Sequence, residues 1–434
     1  MSSLALGFSG FAAIIALVLL RVPIGLALAA VAIIGLYLLV GLDIALSMLR
    51  ILPFDFVSNW DLSAIPMFLL MGSVAHSAGM TARLFEAARL WFGRLPGGLA
   101  VATNFACAGF AAASGSSLAT AMAIGRITIP EMRKHGYDPG LATGVVACAG
   151  TLGILIPPSI IMVIYGIFVE VSVAQLFIAG VLPGLLTAAV YAGQIMLRCM
   201  WNPKLAPMLE ERATWQEKFQ ALADVWPLPL LILGVIGSIY SGLATPTEAG
   251  AFGASLAVVI GVLQRKLNWA GFREAAREAI VSTASIFFVA IGAVLLTRFM
   301  ALSGVPVFIG DVVREIGVSP IWLIVGTAIV YLILGCFLDP LGMMLLTLPV
   351  FLPMFKAFNI DLIWFGILLV KFIEIGLITP PVGLNVYGIK VMVPDIPLET
   401  IFKGAGWFLL SEFVIVTLLI AFPQISLWLP SLMQ

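Results

Sequence analysis

Small and hydroxyl-bearing residues cluster at four interruptions of apolar sequence. A helix that ends inside a membrane leaves its last carbonyls free, and these oxygens with hydroxyl or amide side chains form a hard-cation site suited to sodium. For any single residue the alternative is close helix packing, but four matched clusters favour binding. The candidates are Ser114, Gly115, Ser116, Ser117, Thr120, Gly150, Thr151 and Gly153 in the first half, and Gly335, Asp339, Gly376, Thr379 and Asn385 in the second.

A double proline interrupts one apolar segment in each half. Pro157 and Pro380 begin these pairs, and Pro130 and Pro353 are separated by the same 223 residues. Proline inside a helix removes a backbone donor and clashes with the preceding turn, and lipid supplies no replacement partners. Matched interruptions in two halves indicate a duplicated fold with a binding site near the membrane midplane.

One further feature indicates an anionic ligand beside the cation. Helices that begin after the breaks, at Ser159 and Val382, point partial positive charge at the cavity and favour a carboxylate group.

Charged residues inside apolar segments are functional candidates. For Lys371 and Glu374 we favour a structural ion pair on one helix face, whereas Asp339 is placed either to bind a cation or to cap a helix. The charged candidates are Arg126, Glu248, Arg298, Asp339, Lys371 and Glu374.

Enzymatic chemistry is poorly provided for. The two histidines, His76 and His135, have no Cys, Asp or Ser set at a catalytic spacing, and no phosphate-binding GxxxxGK[ST] loop occurs. The four cysteines stand alone in apolar sequence and are interpreted as small core residues. We therefore predict that the chain is neither an enzyme nor an ATP-driven motor.

The composition is that of an all-α polytopic membrane protein, with 62% hydrophobic and 10% charged residues among 434. The balanced charge gives no nucleic-acid signature. Stretches of about 20 apolar residues predict ten crossings. They lie at 4–20, 22–41, 60–79, 139–169, 174–197, 225–242, 247–264, 279–302, 361–393 and 405–429.

The apolar stretches 97–135 and 319–358 are interrupted at their centres by Ser114 to Ser117 and by Asp339-Pro340. These residues form turns, so each stretch is interpreted as a re-entrant hairpin, with ordinary paired spans as the alternative. With this map most of the 22 Lys and Arg residues, Arg212 among them, fall on one side. Calling that side cytoplasmic places both termini in the periplasm and makes the hairpins enter from opposite faces.

Polar stretches at 81–93, 203–224, 269–278 and 305–317 are predicted to be amphipathic connectors. Together these elements predict inverted repeats within a scaffold. The predicted division is 1–80 scaffold, 81–169 first transport repeat, 170–278 scaffold and connectors, 279–393 second repeat, and 394–434 C-terminal scaffold helix. Because a hairpin can carry a site across the membrane only by rigid-body movement, we expect the repeats to slide against the scaffold.

Three motifs in this order resemble the large membrane subunit of TRAP (tripartite ATP-independent periplasmic) transporters, and the similarity spans essentially the whole chain. They are Ala113-Ser114-Gly115-Ser116-Ser117 with Ala119-Thr120, the stretch from Gly150 to Ser159 that contains Pro157-Pro158, and the stretch from Gly376 to Asn385 that contains Pro380-Pro381.

This resemblance implies a sodium-driven importer of organic acids in the bacterial inner membrane, working by an elevator mechanism. It also implies a periplasmic substrate-binding protein and a small membrane subunit of four helices as partners. Carried over, one Na⁺ belongs with Ser114, Ser116, Gly150 and Pro157, and another with Gly335 and Thr379. Open alternatives are a stand-alone sodium-coupled dicarboxylate or anion symporter, a membrane-embedded enzyme and a passive channel subunit. The particular organic acid is not encoded in these motifs.

Overall fold

The computed structural model describes residues 2–208, 213–317 and 319–433, and within them the regular structure is entirely helical. Arg212 and part of the predicted connector 203–224 lie outside the described residues. The helices are α1 Ser3–Leu19, α2 Ile24–Val40, α3 Leu42–Val57, α4 Ala64–Ser77, α5 Met80–Phe92, α6 Gly98–Ser114, α7 Ser117–Lys134, α8 Pro139–Ala149, α9 Leu152–Leu155, α10 Ile160–Val169, α11 Val173–Trp201, α12 Trp215–Asp224, α13 Pro227–Tyr240, α14 Pro246–Leu263, α15 Trp269–Ser303, α16 Val305–Glu315, α17 Pro320–Gly335, α18 Pro340–Ala357, α19 Leu362–Ile378, α20 Leu384–Met392, α21 Leu398–Ala421 and α22 Gln424–Ser431.

The predicted interruptions are confirmed in both halves. Helices α6 and α7 form the first helix–turn–helix hairpin, and α17 and α18 form the second, with turns at the predicted serines and at Asp339. The segment from α8 to α10 bends by 41° around the first double proline. The second double proline separates α19 from α20, and both Pro-Pro peptide bonds are cis.

One helix was not predicted, and two predicted boundaries are wrong. Residues 42–57 form α3. It was not predicted because Asp43, Arg50 and Asp55 interrupt its apolar sequence and the helix is too short to span a membrane. The predicted connector 269–278 and span 279–302 are one helix of 35 residues, because no glycine or proline separates them at that boundary. The predicted span 405–429 is two helices, since Pro423 cannot continue α21 and the chain turns there.

Five helices in the described part are long and apolar enough to cross a membrane, or up to eight if each bent pair counts as one span. Shorter apolar helices, such as α1, α2, α6 and α17, complete the lipid-facing and hairpin elements. Exposed leucine, phenylalanine and tryptophan side chains cover the outer helices, as lipid contact requires.

Packing arranges these helices around the two breaks. Helix α2 packs along α15, and α4 packs between α14 and α15. On the other side, α21 packs along α8, where Gly144 and Gly404 allow the backbones to approach closely. Helix α11 contacts α6, α9, α19 and α21, so it lies against both broken helices. The division into transport repeats and scaffold stays a prediction.

Candidate functional site

The tip of the first hairpin is a compact turn built from hydroxyl groups. Helix α6 ends in Gly115, whose φ of +62° is a left-handed conformation that favours glycine. Ser114 Oγ lies 2.5 Å from Thr120 Oγ1, so the two hydroxyls share a hydrogen bond. Ser114 Oγ also donates to the carbonyl of Ser116, at 3.3 Å. The tip thus brings three of the predicted oxygen ligands into contact.

The first broken helix lies directly against this tip. A Cβ atom added to Gly153 would stand 2.6 Å from Thr120 Oγ1 and would also strike the carbonyl oxygen of Ser116. Ser159 caps α10, because its Oγ accepts from Met162 N at 3.4 Å while donating to the carbonyl of Ile154 at 2.6 Å. The absent side chain of Gly153 therefore permits the close approach that the predicted site needs.

Three other predicted residues of this half, Gly150, Thr151 and Pro157, lie along the same broken helix. Thr151 Oγ1 donates to the carbonyl of Cys148 at 2.7 Å, so its hydroxyl faces its own helix. The carbonyl of Gly150 accepts from Gly153 N at 3.0 Å. Pro157 belongs to the cis peptide unit, and the carbonyl of its neighbour Pro158 approaches Gly115. The helix end that faces the tip is therefore formed by residues 152–158.

In the second half, the hairpin and the broken helix meet through two glycines. A Cβ on Gly335 would lie 2.6 Å from the Cα of Gly376. Thr379 Oγ1 donates to the carbonyl of Ile375 at 2.6 Å, and Cys336 Sγ donates to the carbonyl of Pro380 at 3.0 Å. The structure thus places Gly335, Gly376, Thr379 and Pro380 together. Cys336 is half-exposed and joins them, although its isolation in the sequence indicated only a core residue.

Asp339 and Asn385 have different roles in the geometry. Asp339 Oδ2 caps α18 by accepting from Leu341 N at 3.2 Å and Gly342 N at 3.1 Å. Asn385 Nδ2 donates to Ser117 Oγ at 2.6 Å and to the carbonyl of Ala147 at 3.0 Å. Asn385 therefore joins the second half to the first hairpin, rather than lying only beside its own break.

A cavity of about 230 Å³ lies between these elements. Its polar lining comes from the first hairpin tip, from Asp339 and from Asn385, and its apolar lining comes largely from the broken helices. The lining residues include Gly115, Ser116, Ser117, Ile154, Ile160, Asp339, Pro340, Leu377, Leu384 and Asn385. Both hairpins and both breaks therefore face one space, which is large enough for a small molecule or ions.

A second cavity of about 390 Å³ reaches the same hairpin from another direction. Helix α7 contributes a stripe that runs from Ser116 through Ala119 and Ala123 to Arg126, and α4 and α15 form the facing walls. Arg126 is exposed in this cavity, with Glu274 and Glu278 on the wall from α15. Arg126 therefore lies along the wall of an open path to the hairpin tip.

Of the remaining charged candidates, Arg298 is exposed on α15, whereas Glu248, Lys371 and Glu374 form contacts within the protein. Glu248 completes an N-terminal capping box of α14, where its carboxylate accepts from Thr245 N at 2.8 Å. Lys371 and Glu374 pair as predicted, but Glu412 of α21 and Tyr191 of α11 complete a buried cluster that the sequence analysis missed. Glu412 lies inside an apolar segment, and the rule used for the other candidates would have found it.

Comparison with known proteins agrees with this architecture. Residues 11–425 match the family described as "Tripartite ATP-independent periplasmic transporter, DctM component". The C4-dicarboxylate TRAP transporter large permease protein DctM of Pseudomonas aeruginosa is 36% identical, over 88% of this chain and 89% of that protein. The sialic acid TRAP transporter large permease protein SiaM of Vibrio cholerae is 33% identical, over 87% of each.

Among solved structures, the YdaH transporter of Alcanivorax borkumensis has a similar fold. The TM-score is 0.58 at 15% identity, and the match covers 90% of this chain and 88% of that one. The paired hairpins, the paired breaks and the match over nearly the whole sequence lead to one assignment: the chain belongs to the DctM family of large membrane subunits of TRAP transporters.

Proposed function

We propose that the chain imports an organic acid by sodium-driven secondary transport, receiving it from a periplasmic substrate-binding protein. The observation that supports this proposal is the cavity of about 230 Å³, which is lined by both hairpin tips and both broken helices. Hairpins and discontinuous helices at membrane depth are the elements from which carriers build ion and substrate sites.

Sodium is proposed to be a transported ion that is bound by uncharged oxygen atoms. The first set comprises Ser114 and Ser116 with the carbonyls around Gly150 and Pro157, and the second comprises carbonyls around Gly335 and Thr379. Carbonyl and hydroxyl oxygens are hard ligands without net charge, so they suit a monovalent hard cation. In the described residues, no group of three or more His, Cys, Asp and Glu side chains comes together as a transition-metal site would.

The substrate carboxylate is proposed to bind where helices begin at the cavity. Ile160 and Ile161 of α10 and Leu384 of α20 line it, so the first turns of both helices face the same space. Backbone N–H groups and the helix dipole favour a negative group there. Relatives named for C4-dicarboxylate and sialic acid carry organic acids, which supports the same substrate class for this chain.

The proposed assembly has three components in the bacterial inner membrane and periplasm. This chain forms the multi-pass part with both termini in the periplasm, a small four-helix membrane subunit accompanies it, and the binding protein delivers the substrate. The test is uptake of a radiolabelled organic acid into proteoliposomes that contain all three. Uptake should require an inward sodium gradient and the binding protein. Uptake that persists after the sodium gradient is collapsed would refute the coupling, and uptake without the binding protein would favour a stand-alone symporter.

The proposed mechanism is an elevator, in which the hairpin-bearing body slides against a scaffold. Ala123 of α7 and Ser73 of α4 line opposite walls of the 390 Å³ cavity, so cysteines at both positions would tie the hairpin to the scaffold. Bifunctional thiol reagents should stop uptake in the double variant and leave both single-cysteine variants active. Full activity after complete crosslinking would refute the sliding.

A further inference from the structure

A buried ion cluster lies about one to two turns before the second break. Lys371 and Glu374 project from α19, and Glu412 projects from α21; the three side chains are at most 1% exposed. Lys371 Nζ pairs with Glu374 and lies 2.9 Å from Glu412 Oε1. Burying ions in an apolar interior is costly and does not by itself stabilise a fold, so the cluster calls for another reason.

The cluster joins three helices at one level. Tyr191 of α11 donates its hydroxyl hydrogen to Glu412 Oε1, and Lys371 Nζ lies 3.5 Å from Thr187 Oγ1 on the same helix. Cys148 of α8 faces α21 nearby, where its Sγ donates to the carbonyl of Ala405. Helix α19 is thus attached to α21 by an ion pair and to α11 by the contact with Thr187, and these contacts restrain its rotation.

The opposite side of the same helix end is fixed differently. Gly376 lies against Gly335 of α17, with no room for a side chain between them. The last turn of α19, which presents the carbonyls of the proposed second cation set, is therefore held between a glycine contact on one side and the ion cluster on the other. The glycine contact sets how closely the helices approach, and the ion cluster resists rotation.

The corresponding positions in the first half carry no charged side chains. With the 223-residue register that relates the two double prolines, Lys371 and Glu374 correspond to Cys148 and Thr151. Thr151 forms its hydrogen bond within its own helix. The ionic attachment therefore belongs to the second half alone among these two matched positions.

We infer that Lys371 and Glu412 are positioning residues for the second cation site: their contact between helices orients the last turn of α19 so that its free carbonyls point at the ion. This inference rests on the proposed sodium coupling. Groups that orient the ligands of a metal ion commonly change its affinity by about 10- to 100-fold when they are altered.

Two substitutions separate this role from mere charge burial. Glu412→Gln and Glu374→Gln each remove one carboxylate and leave one ammonium with one carboxylate. After Glu374→Gln the remaining ion pair still joins α19 to α21, whereas after Glu412→Gln it lies within α19 alone. Their electrostatic cost should be similar, so thermal unfolding should respond alike in the two variants.

The assay measures the sodium concentration that gives half-maximal uptake in proteoliposomes with the partner proteins. Glu412→Gln should raise it by about tenfold or more, and Glu374→Gln by less than about twofold, with similar maximal rates at saturating sodium. Equal shifts in both variants, or no shift in either, would overturn the inference while leaving sodium coupling intact. A wild-type protein that needs no sodium would overturn both.

A milder variant covers the case in which Glu412→Gln does not fold. Tyr191→Phe removes the hydroxyl that donates to Glu412 and keeps every charge, so it loosens the cluster without unpairing an ion. It should raise the half-saturating sodium concentration by about threefold, in proportion to one lost hydrogen bond. An unchanged value would overturn the inference.

Discussion

Adding one methyl group at Gly335 should weaken the proposed second cation site. The Cβ of Gly335→Ala would lie 2.6 Å from the Cα of Gly376. Carbon atoms pack at about 3.5 to 4.0 Å, so α17 and α19 must separate by about 1 Å. The obstacle is backbone, which cannot rotate away as a flexible side chain would.

The expected size follows from the cost of overpacking. Inserting a methyl group into a packed interior costs about 1–3 kcal/mol. If the ion-bound arrangement is the one that needs the close contact, that cost appears as a loss of sodium affinity of about 5- to 150-fold. The half-saturating sodium concentration for uptake should rise by a factor in this range.

Gly326→Ala is the matched control. It makes the same change in the same helix, but a Cβ at Gly326 meets open space. This variant should keep the wild-type sodium dependence and gain slightly in helix propensity. If Gly335→Ala and Gly326→Ala behave alike in uptake, the glycine contact does not set the geometry of the site and the reasoning fails.

Two further predictions concern the first half and the membrane surface. Gly153→Ala should likewise raise the sodium requirement, because its Cβ would stand 2.6 Å from Thr120 Oγ1, whereas Gly193→Ala in α11 meets open space and should leave uptake unchanged. Asp395 lies 2.7 Å from Arg133, and the hydrogen bond from that guanidinium lowers the pKa of the carboxyl. The pair should therefore stabilise the fold at neutral pH and lose its effect below about pH 4, as the pH falls through the lowered pKa. Thermal unfolding should be more sensitive to acid in the wild type than in Asp395→Asn; parallel pH profiles would contradict this.

The sequence predicts the interruptions better than the lengths of the helices. Pro157 and Pro380 mark their breaks because proline acts locally, and the turns at Ser116 and Asp339 follow from local preferences in the same way. The prediction divided α15 at residue 278 because the sequence changes there from polar to apolar, although no glycine or proline at that boundary ends the helix. Helix α3 was not predicted because a rule based on the length needed to span a membrane does not detect a charged helix of 16 residues.

The sequence indicated which regions form the candidate site, but it did not indicate which residues within them touch one another. Ser114, Thr120 and Gly153 come into contact because the hairpin packs against the broken helix. Their motifs identify these residues as candidates but do not show that they touch. The contact of Asn385 with Ser117 spans 268 residues and the contact of Lys371 with Glu412 spans 41. Such contacts between segments follow from how the helices are arranged, so a single sequence does not show them.

The amide of Asn385 joins the two halves of the chain directly. One side chain from the second half donates to a hydroxyl at the first hairpin tip and to a carbonyl of α8. In the proposed mechanism, an ion that rearranged that tip would change the free energy of the helix that carries the amide, and reciprocity would then require binding in the second half to change affinity in the first by the same factor. For the proposed pair of sodium sites, this contact predicts that binding at one site changes the affinity of the other.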